Sequence, residues 1–270
     1  MKVLVAAPLA RWRTGQGEAR DEDLVATEVP VALTVNRRSH VVMMATPMDL
    51  EAFALGFGLT EGLLQDRDEL LAVRVIPRDA GLELAMTVSE AAAERVAGQR
   101  RNLTGRTGCG LCGAESLQQA VRYPAAVGDH LRITHEALQR AVEALSSHQP
   151  LQAAAGAVHC AAWCDDQGEI GLAREDVGRH NALDKLVGAL AMAGEDASRG
   201  FFLVSSRASY EMVLKTAFSG VELLAAVSAP TSLAIELAGE SGLSLVGFAR
   251  PGRHNAYTGR HRICGSEETA

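Results

Sequence analysis

The sequence predicts an α/β fold: an open sheet with parallel strands in the second half, preceded by a smaller α+β unit. Three observations carry this. Residues 201–248 alternate short apolar runs with runs of helical length, a rhythm that implies right-handed crossovers and parallel strands. Residues 29–88 hold two pairs of adjacent strand-like runs around one helical run, as hairpins do. The length, 270 residues, suits one large or two modest domains. The expected divisions are a loosely ordered segment at 1–25, a small domain at 26–130 and the α/β domain at 131–270.

Taken in order, residues 1–25 lack a periodic apolar pattern and read as loosely ordered. Strands over 29–35 and 40–45 pair across Asn36-Arg37-Arg38-Ser39. Thr46-Pro47-Met48-Asp49 reads as a helix start, with Thr46 as cap and proline in the first turn, and the helix runs to about Gly62. A second hairpin spans 70–76 and 82–88, and a short helix follows over 89–98. In the second half, strands 158–164 and 169–173 flank the turn Asp165-Asp166-Gln167-Gly168, and a helix covers 178–192 with Leu183, Leu186, Val187 and Leu190 on one stripe. Strands at 201–205, 221–227 and 243–248 alternate with helices at 209–219 and 231–238.

Composition excludes several classes. Aromatic residues are 4% of the chain and the formal net charge is −7, which disfavours stacking platforms and non-specific nucleic-acid binding. No apolar run approaches a membrane span, and the first ten residues lack the hydrophobic region of a secretory signal. Five cysteines, an odd number, do not make a disulfide framework, so a reducing cytoplasm is the expected compartment.

The richest stretch is Arg106-Thr107-Gly108-Cys109-Gly110-Leu111-Cys112-Gly113, with Arg100 and Arg101 upstream. Positive charge stabilises thiolate, the reactive form of cysteine. A zinc site needs about four ligands, and no second pair of regular spacing occurs. Disulfide exchange and a sulfur relay through a persulfide both stay open. Cys160 and Cys164 alternate with apolar residues and read as bystanders.

A second concentration of polar groups is Glu175 through Lys185. His180 and Asp184 lie four apart, as do Asn181 and Lys185, so each pair can meet on one helix face. Helix capping with a solvated face is the plain alternative. His159 reads equally as structural or ligand-binding. In an open parallel sheet, ligands sit beyond the carboxyl ends of the strands. The segments leaving those ends are Ser205-Ser206-Arg207, Ser228-Ala229-Pro230-Thr231 and Phe248-Ala249-Arg250. The first two precede helix N-termini, which favour anions. Arg250-Pro251-Gly252-Arg253-His254 adds local positive charge to an acidic chain.

Together these segments resemble the formate dehydrogenase accessory sulfurtransferases, the FdhD/NarQ family. The matching runs are Thr46 through Leu50, Gly56 through Gly62, Arg106 through Gly113, Val158-His159, Glu175 through Lys185, Arg207 through Met212, Ser228 through Thr231 and Gly247 through Arg250. They occur in family order across about 29–258. The resemblance implies a cytidine-deaminase-like three-layer α/β/α domain with a smaller domain, as a homodimer. It implies a sulfur carrier that takes sulfur from a cysteine desulfurase and delivers it to the molybdenum cofactor, in its bis(molybdopterin guanine dinucleotide) form, before formate dehydrogenase receives it. The persulfide cysteine falls on Cys109, with Cys112 assisting or resolving. The cofactor segment falls on Phe248, Ala249, Arg250, Pro251, Gly252 and Arg253. His180, Asp184, Ser206 and Arg207 are further candidates for the site, and no permanent metal is expected. Ser206 departs from the family pattern, which leads one to expect glycine before the arginine; a turn requiring positive φ would suit serine less well. The rival readings are a thiol–disulfide oxidoreductase, in which Cys112 is as necessary as Cys109, and a molybdenum-cofactor chaperone, in which Cys109→Ser still functions.

Overall fold

The computed structural model describes residues 1–101 and 124–265. It opens with a hairpin, β1 (Leu4–Arg13) and β2 (Gly17–Ala26), paired along its whole length. This corrects the expectation of a loosely ordered segment at 1–25. The hairpin left no apolar alternation to read because both its faces are largely exposed; Trp12 is 67% exposed.

The small sheet follows. β3 (Val29–Val35) and β4 (Arg38–Ala45) are joined by Asn36 and Arg37, both at positive φ (46° and 66°), as a two-residue type I′ turn requires. After α1 (Leu50–Thr60) come β5 (Leu70–Arg78) and β6 (Gly81–Val88). The strand order is β4-β3-β6-β5, and β3 and β6 pair in parallel at the centre. The two hairpins are therefore one sheet. α2 (Glu90–Arg101) leaves its end.

Helix α1 begins at Leu50, four residues after Thr46. Its cap is Asp49, in the left-handed region with φ 53° and no side-chain capping bond. The expectation that Thr46 caps this helix is corrected, since Thr46 is committed elsewhere. Its N–H donates to Asp176 Oδ2 (2.9 Å), its Oγ1 accepts from the Val177 N–H (3.2 Å), and its carbonyl accepts from Lys185 Nζ (2.9 Å).

The second half begins with β7 (Ile133–Thr134), α3 (His135–Ala144) and α4 (Pro150–Ala155). α3 was not foreseen, although Thr134 Oγ1 caps it by accepting from the Ala137 N–H (3.0 Å). The remaining elements are β8 (His159–Asp165), β9 (Ile170–Asp176), α5 (Arg179–Ala193), β10 (Gly200–Val204), α6 (Tyr210–Phe218), β11 (Leu223–Ala226), α7 (Ser232–Glu240), β12 (Ser244–Arg250), β13 (Arg253–Ala256) and β14 (Ile263–Cys264). Six of these strands form one sheet in the order β13-β12-β11-β10-β8-β9, with β10, β11 and β12 parallel.

Alternate side chains of β10 show the layering. Phe202 and Val204 join Leu183, Leu186, Met212 and Leu237 of α5, α6 and α7 in one core. Phe201 and Leu203 join Leu138 and Ala141 of α3 in another. The sheet is thus covered on both faces, in three layers.

α1 sits between the small sheet and α5. Phe53 and Phe57 face the small core with Val31, Leu33, Leu84 and Met86. On its other side Gly56 meets Gly188 of α5. A Cβ on Gly56 would lie 1.7 Å from the Asp184 carbonyl oxygen, and one on Gly188 would lie 1.8 Å from that of Ala52. Backbone touches backbone, so nothing but glycine fits without separating the helices. Gly188→Ala is expected to cost at least about 3 kcal/mol, the upper end for overpacking, because backbone cannot step aside as a side chain can. Urea unfolding measures this directly.

Candidate functional site

Three loops leave the carboxyl ends of β10, β11 and β12 and are laced side by side. The Val227 N–H donates to the Val204 carbonyl (3.0 Å), the Ala208 N–H to that of Ala229 (3.3 Å), and the Thr231 N–H back to that of Ala208 (3.1 Å). The Phe248 N–H donates to the Ser228 carbonyl (3.0 Å), and Arg250 Nε to that of Val227 (3.4 Å). Ser206, Arg207 and the 248–253 segment therefore share one sheet edge. Ser206 has ordinary backbone geometry; the non-glycine residues at positive φ among the described ones are Asn36, Arg37, Asp49 and Phe248. The strain falls instead on Phe248 (φ 51°), where the β12–β13 register shifts. Such a conformation costs about 1–3 kcal/mol. Arg250, beyond Phe248, is exposed, while Ala249 is wholly buried, backbone included, and belongs to the packing behind the turn.

Arg250 and Arg253 face each other across the turn Pro251-Gly252, with Gly252 at φ 78°. Proline then glycine at these places is the type II pattern. Both arginines are exposed, as is Arg207. Among the described residues none of the three forms an ion pair with a carboxylate, whereas Arg78, Arg95 and Arg262 each do.

His180 and Asp184 do not meet. His180 Nε2 lies 2.7 Å from Glu211 Oε2 at the start of α6, beside the Arg207 loop. His159, at the same sheet edge, is held below the ordinary histidine range by burial and then by the charges of Arg179 and His180. Burial pushes Glu211 up, but contact with His180 and the charges of His180, Arg179 and Lys215 outweigh it, and its carboxyl is held low. Among the described residues this edge thus gathers Arg179, His180 and Arg207, with Glu211 and, beside His159, Asp176 as countercharges.

Asp184 points the other way, into the α1–α5–α6 junction, and is 1% exposed. It accepts from Thr60 Oγ1 (2.6 Å) and from Lys215 Nζ (2.9 Å), and Lys215 also reaches Glu61 Oε1 (2.8 Å). Burial alone would pull Lys215 down; Asp184 and Glu61 reverse this and hold it as the ammonium ion. Asp184 is therefore a structural anchor and not a lining residue, because its oxygens are spent in the core. Asn181 and Lys185 are joined through Asp176: Nδ2 donates to Oδ1 (2.9 Å) and Nζ lies 2.6 Å from Oδ2.

Cys109 and Cys112 lie outside the described residues. The chain enters that stretch from α2 on the small sheet and is held on the large domain when it re-emerges. There the Val127 N–H donates to the Ser241 carbonyl (2.9 Å), and Glu222 accepts from the N–H groups of His130 and Leu131 (both 2.9 Å) and from Arg262 Nε (3.1 Å). Cys160 and Cys164 are buried, and burial raises the Cys160 thiol to about 12 and Cys164 further. Neither is a nucleophile at neutral pH.

The model of the FdhD/NarQ family matches residues 26–264. The chain belongs to the FdhD/NarQ family. It is 50% identical over 255 residues to the sulfur carrier protein FdhD of Cupriavidus necator, covering 94% of this chain and 88% of that one. It is 52% identical over 249 residues to the sulfur carrier protein FdhD of Xanthomonas campestris pv. campestris strain B100, covering 91% and 87%. The fold matches a crystal structure described as a formate dehydrogenase accessory protein from Desulfotalea psychrophila, with a TM-score of 0.75, 24% identity, and coverage of 97% of this chain and 100% of that one.

In this FdhD/NarQ protein the Glu61–Lys215 pair and the acceptor Glu211 emerge from the structure. The signal was available in α6, where Lys215 stands amid buried Met212, Val213, Leu214, Thr216 and Ala217, a place a lysine takes only when paired. Lys215→Met should cost about 3–5 kcal/mol, because Asp184 is left buried without its counter-ion. Adding Asp184→Leu should recover most of that loss, as denaturant titration of the two variants would show.

Proposed function

We propose that this protein is a sulfur carrier for formate dehydrogenase, with Cys109 as the sulfur-bearing atom and the molybdenum cofactor as its cargo. The Cys109 thiolate attacks the outer sulfur of a cysteine desulfurase persulfide. The donor's S–S bond breaks, the donor leaves as its thiolate, and Cys109 holds the persulfide. The sulfane sulfur changes partners, and no external oxidant or reductant is consumed. Cys112 assists transfer or resolves the persulfide.

The cargo is the bis(molybdopterin guanine dinucleotide) form, received at the edge made by Ser206, Arg207 and residues 248–253, with His180 beside it. One observation carries this reading: Arg207, Arg250 and Arg253 lack carboxylate partners among the described residues of an acidic chain. Guanidinium groups left unpaired suit pyrophosphate oxygens, which they bind in bidentate fashion. The kinship with proteins called sulfur carrier protein FdhD supports the same reading. The protein acts in the cytoplasm, as a homodimer.

Mass spectrometry after incubation with a cysteine desulfurase and cysteine should find one added sulfur on Cys109, removable by thiol reductant and missing in Cys109→Ser. A functional protein that never carries that adduct would overturn the relay. Binding of guanosine diphosphate should weaken as salt rises. Arg250→Ala should cost roughly 10- to 100-fold in affinity, the worth of about 1.5–3 kcal/mol for a charged hydrogen bond. Affinity indifferent to both would contradict the phosphate clamp.

A further inference from the structure

Three side chains behind the arginine turn have no part in the reading above. His135 and Gln139 lie on α3, and His254 follows Arg253 on β13. They form a chain of hydrogen bonds whose direction is fixed at one end. The Gly252 N–H, which can only donate, lies 2.7 Å from Gln139 Oε1. That places Gln139 Nε2, also only a donor, 3.0 Å from His254 Nδ1. Nδ1 must accept, so the His254 proton sits on Nε2. Nε2 lies 2.9 Å from His135 Nδ1, which must accept in turn, and the two rings lie within 22° of parallel with centroids 5.0 Å apart. Every link is satisfied only when both rings are neutral.

An added proton has nowhere to go without breaking a link. On His254 Nδ1 it faces the Gln139 amide, donor against donor. Rotating the amide satisfies the ring but turns its NH2 toward the Gly252 N–H. A proton on His135 Nδ1 drives the His254 proton across to Nδ1, with the same result. We propose that His135, Gln139 and His254 are positioning residues for the phosphate-binding turn, and that one proton taken up by the histidine pair unfastens Gly252 from α3. The inference rests on the reading of Arg250 and Arg253 as phosphate ligands.

The surroundings favour the neutral, fastened state. Burial, and then the charge of His135, hold His254 below the ordinary histidine range. Among the described residues, the turn carries Arg250 and Arg253, and α3 carries exposed Glu136 and Arg140 beside this chain, the latter donating to the Gln167 carbonyl. Arg132, just before α3, is paired with Asp129 (3.1 Å). The sign of the effect separates it from simple electrostatics. A histidine acting only through charge strengthens anion binding when protonated. Here protonation loosens the turn and weakens binding.

The test is nuclear magnetic resonance of the full chain from about pH 8 to about pH 5, across the histidine range, with guanosine diphosphate affinity measured at each pH. The Gly252 amide should shift and lose exchange protection with the midpoint of the His254 ring. Affinity should fall about 2- to 10-fold, the worth of one net hydrogen bond. In Gln139→Glu the carboxylate accepts from both Gly252 and a protonated His254, so the Gly252 amide should stay fixed throughout. A wild-type Gly252 amide that ignores the ring titration, or one that titrates equally in Gln139→Glu, overturns the proposal. So does affinity that rises on acidification. If Gly252 responds as described and the nucleotide binds at no pH, the fastening stands and the phosphate reading fails.

Discussion

The approach of α1 to α5 at Gly56 and Gly188 is the constraint on which the rest depends. With no side chain between them, the two helices bring the small sheet's core and the large sheet's first core onto opposite sides of one contact. α1 pays for this closeness by having almost no exposed face; of its residues only Glu51 and Leu59 escape burial. Helices apolar on every side belong inside a structure. Here α1 serves as a shared wall between two layers that sequence alone divides into separate units.

Polar groups then secure what the glycines permit. Asp184, Lys215, Thr60 and Glu61 tie α1, α5 and α6 together at one level, and Thr46, Asp176, Asn181 and Lys185 tie β4 to β9 and α5 at another. Buried ion pairs of this kind contribute little net stability, since desolvation offsets their attraction, but breaking one is costly. Their effect is to fix geometry. The domain from which the cysteine stretch departs is held against the domain to which it returns, at α5, α6 and the end of β9.

The alternation along 201–248 is readable because each strand is apolar throughout, as a sheet covered on both faces requires. The cluster of positive charge at 250–254 is readable from composition; the turn that sets Arg250 against Arg253 emerges from the structure. Other features are not readable in this way. The β1–β2 hairpin buries too little to leave a pattern. The central β3–β6 pairing is parallel and non-local, so no turn announces it. Thr46 has the residues of a helix cap, but Asp176, distant in sequence, competes for it and wins. His180 and Asp184 have the spacing of a pair, but the core claims Asp184 through Lys215, and Glu211 claims His180. For Thr46, His180 and Asp184 the local chemistry is visible in the sequence and a tertiary partner overrides it.

Packed this way, the two domains behave as one body. Native-state hydrogen exchange tests it most directly, by comparing the slowest amides of β3 and β6 with those of β10 and β11 as denaturant is raised. In the wild-type protein both sets should converge on a single opening free energy, with the same dependence on denaturant. A small sheet that opens alone, at a free energy well below that of the large sheet, would contradict it.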